Sequence, residues 1–170
     1  MKRAISISIV AFLICSCSQK EEPTLLPQWT VSEYGFGPVK IGMTVDEAAT
    51  ALGSKLVGRG TPSVCYFVRP ENEPAGIMFM VTDGRIARVD VTDSPIPTAA
   101  GVRMGDPEGK IEMVYPGSVE SQPHKYTDGH YLIVGFQQSG NRIIFETDGT
   151  KVTRYRAGKQ PEVDWLEGCS

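Results

Sequence analysis

Alternating hydrophobic and polar positions mark two similar hairpins in this chain. The first occupies residues 76–91, where two apolar runs flank the turn Thr82-Asp83-Gly84. The second occupies residues 143–155 around Thr147-Asp148-Gly149, displaced by 65 positions. Apolar alternation around an Asp-Gly pair predicts two antiparallel strands joined by a tight turn. After one inserted residue, Arg88 also matches Arg154.

Each hairpin is preceded by a short helical pattern. Thr44 and Glu47 have the spacing of a capping box before an alanine-rich face, and Gly53 predicts the helix end. In the second half, Asp106 is a favourable N-cap and Pro107 suits the first helical position. Ile111, Val114 and Tyr115 then form one apolar face.

We therefore predict an α+β fold built from two tandem units, residues 29–98 and residues 99–170. Each unit is expected to place a short helix, or a helix pair, on an antiparallel sheet of about three strands.

The N-terminal segment has the pattern of an export signal rather than of a folded element. Lys2 and Arg3 precede a mostly apolar run that is too short for a confident membrane span. Residues 1–16 are predicted to be a lipoprotein signal peptide, because Ile14, Ser16 and Cys17 resemble a bacterial lipobox. This resemblance implies lipidation of Cys17, and residues 17–28, polar and proline-containing, then form a tether. Ser18 directly after the cysteine implies, by resemblance to sorted lipoproteins, the periplasmic side of the outer membrane.

Charge and cysteine content narrow the classes of partner and ligand. The net charge is −3 at pH 7 and becomes −5 when Lys2 and Arg3 leave with the signal. No basic cluster is present, which argues against nucleic acid as a partner. In an oxidising compartment, Cys65 and Cys169 are predicted to form a disulfide, the alternative being two buried free thiols. Two cysteines without a CxxC spacing do not provide a metal site.

No recognised catalytic motif occurs, so we expect neither enzymatic activity nor a cofactor. The two histidines, His124 and His130, lie near each other in the sequence. If Asp128-Gly129 forms a two-residue turn, His124 pairs with Ile133, and the two rings point to opposite faces of the sheet. They are then surface or packing residues rather than shared ligands of a metal.

Aromatic and arginine side chains on or beside the strands suggest a binding surface. An open antiparallel face that bears aromatic residues and arginines is suited to protein recognition. The alternative for the matched arginines is a solvated, outward-facing strand position. The candidate surface comprises Tyr66, Arg88, Tyr126, Tyr131 and Arg154.

Two families share features with this chain. The run Ile41 to Glu47, with Ala51 to Gly53, resembles the helix-opening motif of small SmpA/OmlA-type lipoproteins of the barrel-assembly machinery. The tandem arrangement resembles the secreted β-lactamase inhibitor protein. The first resemblance implies a non-catalytic lipoprotein that binds an envelope protein during envelope assembly or maintenance. The second implies an inhibitor or immunity lipoprotein directed against a cell-wall hydrolase or toxin.

Overall fold

The computed structural model describes residues 29–59, 64–72 and 74–169. The predicted signal peptide, the predicted lipidation site Cys17 and the predicted tether lie outside the described residues. Among the described residues, neither helix has the length and apolar character needed to cross a bilayer.

The described chain is mostly β-structure with two short helices. Helix α1 spans Val45–Leu52 and helix α2 spans Glu108–Val114. A 3-10 turn at Glu162–Asp164 follows the last strand. The strands are β1 Val31–Ser32, β2 Gly35–Phe36, β3 Val39–Lys40, β4 Leu56–Arg59, β5 Cys65–Pro70, β6 Ile77–Thr82, β7 Arg85–Val91, β8 Val119–Pro123, β9 His130–Phe136, β10 Asn141–Thr147 and β11 Val152–Gly158.

Eight of these strands form one continuous antiparallel sheet in the order β4-β5-β6-β7-β11-β10-β9-β8. The two halves of the chain each contribute four strands, and they meet where β7 pairs with β11. In this central pair, Asp90 lies opposite Arg156 and Arg88 lies opposite Gly158. The first three strands form a separate small sheet.

The predicted α+β fold of two tandem helix-on-three-strand units is therefore wrong. Strand β4 was not predicted, and the strand expected directly before Asp128-Gly129 lies earlier in the chain, as β8 at Val119–Pro123. The physical reason is that backbone groups at the edges of β7 and β11 pair with each other, which joins the halves into one sheet. Such pairing leaves no local signature in the hydrophobic pattern of either half.

Local signals were more reliable for the first helix than for the second. Thr44 accepts from the Glu47 backbone N–H and the Glu47 carboxylate accepts from the Thr44 N–H, so the capping box is confirmed. Gly53 ends α1 in the left-handed region. In α2 the N-cap residue is Pro107 rather than Asp106, whose carboxylate instead pairs with Lys110 at 2.7 Å.

The two matching Thr-Asp-Gly sequences form different turns. Asp83 and Gly84 both have positive φ between the paired Thr82 and Arg85, as in a two-residue type I′ turn. The second hairpin closes from Thr147 to Val152 with four residues between them. Here the Asp148 carboxylate accepts from the Thr150 hydroxyl and from the Lys151 and Thr150 amides. These bonds lower the pKa of Asp148 to about 2.

The main core lies between the large sheet, the two helices and the small sheet. Its members share a position on the helix-covered face of the large sheet or on an element packed against that face. Tyr155 is buried there, and its hydroxyl donates to the carbonyl oxygen of Ile96 at 2.7 Å. The largest fully buried side chains include Phe36, Phe79, Phe145, Ile111 and Ile143.

The opposite face of the large sheet is partly covered by the C-terminal segment, residues 159–169. Val163 packs there against Tyr131, Ile133 and Ile144 in a second, smaller core. The segment ends in the Cys65–Cys169 disulfide, which joins residues 104 positions apart. The predicted disulfide is thus confirmed, and it fastens the C-terminus to strand β5 of the first half.

Candidate functional site

The face of the large sheet under and beside the C-terminal segment concentrates charged side chains; we call it the charged face. Its members project from the central strands β7, β10 and β11, where alternation points them away from the main core. Four of the five are buried or nearly so, which is unusual for ionisable groups unless they are paired. They are Arg88, Asp90, Glu146, Arg154 and Arg156.

Glu146 is the central acceptor of the charged face. It is 4% exposed, and its carboxylate accepts from Arg156 Nη1 and, at 2.6 Å, from Arg154 Nε. His124 Nε2 lies 3.2 Å from the same carboxylate. Burial alone would raise the pKa of Glu146, but the neighbouring Arg156 and Arg154 outweigh burial and hold the pKa below its ordinary value.

The geometry of His124 fixes how it contacts this carboxylate. Its Nδ1 accepts from the Tyr126 backbone N–H at 3.1 Å, so the ring proton lies on Nε2 and is donated to Glu146. The ring stacks on Tyr131 at a centroid distance of 4.4 Å. His124 therefore packs and orients Glu146 at the edge of the charged face.

Arg88 fastens the C-terminal segment to the sheet. Its guanidinium bonds to Asp90 through Nε at 2.9 Å and Nη2 at 2.8 Å. Its Nη1 donates to the carbonyl oxygens of Glu162 and Trp165 at 2.9 and 2.8 Å. Because every one of these bonds is internal, Arg88 holds the segment in place.

Arg156 differs from Arg88 in having an unused donor. Its Nε donates to the Val163 carbonyl oxygen at 2.6 Å and its Nη1 to Glu146. Its Nη2 is buried with no hydrogen-bond partner among the described residues, as is Glu162 Oε2. Burial lowers the pKa of the Arg156 guanidinium, and the charge of Glu146 opposes that shift.

The structure separates the five residues of the predicted binding surface. Arg88, Tyr131 and Arg154 share the charged face, but the first two are buried. Tyr126 is 59% exposed in the loop between β8 and β9. Tyr66 lies on the other side of the sheet against the main core. A role of these residues in binding stays a prediction.

The two histidines also occupy separate places, although the predicted register is wrong. Pro123, not His124, is the last residue of β8 and pairs with His130, so the connecting loop holds six residues instead of two. His130 Nδ1 lies 2.9 Å from a carboxylate oxygen of Glu108 on α2, on the helix-covered side. Within the described part of the chain, His, Cys, Asp and Glu side chains form no cluster of three that could hold a metal ion.

Sequence reasoning missed Glu146 and Arg156, the two groups at the centre of the charged face. A usable signal was present, because Glu146 follows the apolar run Ile143 to Phe145 and Arg156 stands between Tyr155 and Ala157. Alternation predicts that Glu146 shares a face with Ile144, and Arg156 with Arg154. The hairpin of β10 and β11 was predicted, but not its place in the middle of a sheet whose outer face is covered by the C-terminal segment.

Three of the cavities on this side of the sheet bear on binding. A trough of about 800 Å³ lies over β8, β9 and β10; its lining includes Tyr34, Glu120, Gln137, Gln138, Asn141 and Gln160. A cavity of about 390 Å³ lies between the C-terminal segment and the same strands. A third, of about 220 Å³, lies over the central strands and is lined by Arg88, Asp90, Glu146, Arg154 and Arg156 among others.

Comparison with known proteins adds a relationship of fold. No protein-family model matches the chain, and no curated protein matches it. The chain is similar in structure to the uncharacterized protein YfeY from Escherichia coli, with a TM-score of 0.51 and 20% sequence identity. The similarity covers 76% of this chain and 99% of the YfeY chain. At this identity the likeness concerns the fold alone.

Proposed function

We propose that this protein is a non-catalytic lipoprotein, anchored through Cys17 on the periplasmic side of the bacterial outer membrane. In this role it binds another envelope protein during assembly or maintenance of the envelope. The N-terminal export pattern and the Cys65–Cys169 disulfide, typical of oxidising compartments, support the location. The motif resemblance to SmpA/OmlA-type lipoproteins supports the role.

The observation that carries the proposed binding is the trough over β8, β9 and β10. Its lining is rich in neutral amide side chains, and Tyr34 at its wall is 49% exposed. Amides and an aromatic ring provide hydrogen bonds and apolar contacts for a protein partner, and Glu33, Glu120 and Arg142 add charged groups to the lining. Strand β8 is the last strand of the sheet, so a partner can approach the trough from that edge.

Site-specific photo-crosslinking from the trough tests this proposal in cells. A photoreactive amino acid replaces exposed Gln138 in the full chain, and the matched control replaces Met113, which is 78% exposed on α2. We expect a crosslinked envelope protein from position 138 and none from position 113. Equal crosslinking from both positions, or none from either, contradicts a partner in the trough.

Lipid anchoring is tested separately by labelling cells with a palmitate analogue. We expect the label on the wild-type chain and on Cys15→Ser, and its loss in Cys17→Ser together with release of the protein from the membrane. Label that persists in Cys17→Ser would overturn the anchor while leaving the trough proposal intact.

An inhibitor or immunity lipoprotein is the second candidate function. The disulfide favours it, because a segment fixed before binding loses less conformational entropy when it meets a target enzyme. The crosslinking experiment separates the two candidates. A cell-wall hydrolase recovered from position 138, with greater sensitivity to that hydrolase after deletion, supports inhibition; a barrel-assembly component supports the envelope role.

A further inference from the structure

The 390 Å³ cavity between the C-terminal segment and the sheet has the composition of a ligand pocket. We call it the amphipathic pocket and define it by Tyr131, Ile133, Ile144, Arg142, Arg156 and Leu166. Tyr131, Ile133 and Ile144 are each less than 9% exposed and provide an apolar floor. Pockets of this size with an apolar lining and a few polar groups are typical of small-ligand sites.

Positive charge predominates around this pocket. Lys125, Arg142 and Arg156 line it, whereas Asp164 is the one carboxylate among the lining residues that the structure describes. Arg142 bonds to Asp164 at 2.8 Å, while Arg156 and Lys125 pair with Glu146 and Glu167, two carboxylates that are not in the lining. An entering anion therefore meets lining cations directly, although each of them has a carboxylate partner.

The buried Nη2 of Arg156 identifies the recognition group. The other two guanidinium nitrogens, Nε and Nη1, donate to the Val163 carbonyl oxygen and to Glu146, while Nη2 has no partner among the described residues. A buried donor on a charged group is costly to leave unpaired, so an acceptor that enters the pocket gains from this bond. Apart from phosphate, a carboxylate is the common biological acceptor that best matches a guanidinium group.

Arg156 also lines the neighbouring 220 Å³ cavity, but the charges there do not favour an anion. That cavity has three cations, Arg88, Arg154 and Arg156, and three carboxylates, Asp90, Glu146 and Glu167. The balance is neutral, and an incoming anion would face like charges. The amphipathic pocket combines the same donor with an apolar floor and has one carboxylate in its described lining instead of three.

We propose that the amphipathic pocket binds a ligand with a carboxylate on an apolar body. The carboxylate bonds to Arg156, and the apolar part packs on Ile133 and Ile144. Two sources have this chemistry: a fatty acid, and the C-terminal carboxylate of a peptide with an apolar last residue. This site adjoins the trough, with which it shares Ile133 and Arg142, but Ile144 and Arg156 belong to the pocket and not to the trough.

Methyl NMR with matched probes tests the proposal. The full chain with Cys17→Ser, exported so that the disulfide forms, is labelled at isoleucine methyls. Octanoate is compared with 1-octanol, and N-acetyl-Ala-Leu with its C-terminal amide. We expect shifts at Ile133 and Ile144 with at least one carboxylate, binding about tenfold or more weaker for the neutral analogue, and no shift at Ile111 in the main core.

The pair of probes that binds identifies the source of the carboxylate. Binding of octanoate but not of the peptide indicates a fatty acid. Binding of the peptide but not of octanoate indicates the C-terminus of a peptide chain. The proposal is overturned if neither carboxylate shifts Ile133 and Ile144 at millimolar concentration, or if the neutral analogues bind equally well.

Variants locate the carboxylate. Arg156→Lys retains the charge beside Glu146 but removes Nη2, and we expect about tenfold weaker binding of the carboxylate probe. Arg142→Gln at the rim, about one-third exposed, provides a second variant that does not disturb the buried pair. Arg142→Gln should weaken binding of the carboxylate probe severalfold. Arg103→Gln, at an exposed position outside this pocket, should leave that binding unchanged. Unchanged affinity in both Arg156→Lys and Arg142→Gln contradicts the proposed contact.

Discussion

At the scale of single residues, Glu146 controls the electrostatics of the charged face. It is buried, yet it accepts from two arginines and lies within hydrogen-bond distance of His124. Removing one partner of a buried ion pair leaves the others charged without compensation in a medium of low dielectric. The charges of Arg154 and Arg156 are therefore compensated chiefly by the Glu146 carboxylate.

Glu146→Gln is expected to destabilise the fold by about 3–5 kcal/mol, because buried Arg156 then lacks its counter-charge. Urea denaturation of the full chain with Cys17→Ser measures this change. Glu120→Gln on the exposed side of β8 is the control and should change the free energy of unfolding by less than about 0.5 kcal/mol. Similar losses in both variants would argue against a special role of Glu146.

The lowered pKa of Glu146 predicts a dependence of stability on pH. The pKa in the folded chain lies below the ordinary value of 4.5, so the folded state binds fewer protons than the unfolded state in that range. Its contribution is present above pH 4.5 and is lost as pH falls through the folded pKa. We expect the urea concentration at the unfolding midpoint to decrease as the pH is lowered below 4.5. NMR titration of the Glu146 carboxyl should show a pKa under 4.5. A carboxyl that titrates at or above 4.5 refutes the pairing.

At the scale of elements, the pairing of β7 with β11 makes one sheet from two halves. Gly158 lies opposite Arg88 at this junction, and its lack of a side chain leaves room for close approach of the strands. A Cβ at this position would stand 2.4 Å from the Ala87 carbonyl oxygen and 2.7 Å from Arg88 Cα. Both are backbone atoms, so they cannot move aside without shifting the strand.

Gly158→Ala is expected to cost at least about 1–3 kcal/mol, as in other overpacked cores, and to loosen Arg88 from the C-terminal segment. The matched control is Gly135→Ala on β9, where a Cβ meets nothing within 4 Å. Urea denaturation compares the two, and amide hydrogen exchange at Trp165 reports on the segment. Equal stability of both variants contradicts a close contact at the junction.

At the scale of the whole molecule, the C-terminal segment links distant parts of the chain. It leaves β11, packs Val163 on the sheet, accepts two bonds from Arg88 and ends at Cys169 on the first half. It thereby forms one wall of the amphipathic pocket through Asp164 and Leu166. The disulfide fixes the end of the segment that forms this wall.

Replacing both cysteines, Cys65→Ser with Cys169→Ser, is expected to lower stability by about 4–5 kcal/mol, since the disulfide closes a loop of roughly 100 residues in the unfolded chain. The free energy of unfolding in urea measures the loss. The reduced wild-type protein should match the double variant, and faster exchange should be confined at first to residues 159–169. A variant as stable as the oxidised wild type would show that packing alone holds the segment.

Local chemistry explains which predictions succeeded. The Asp83-Gly84 turn and the α1 capping box were correctly predicted, because each depends on residues within a few positions of one another. The α2 cap was predicted less well, since Asp106 is drawn to Lys110 and to the Arg103 amide instead. The register of β8 and β9 was missed, because its six-residue loop is held by contacts of His124 with distant strands.

The sequence by itself determined the hairpins, the first helix and the pairing of Cys65 with Cys169, because short-range geometry and oxidation state decide these features. Only the tertiary structure decided that β7 and β11 join the halves, that Glu146 and Arg156 meet in a buried pair, and that the C-terminal segment covers them. These outcomes depend on backbone pairing and desolvation between residues far apart in the chain. A one-dimensional pattern of hydrophobic and polar positions shows which faces are buried, but not which strands become neighbours.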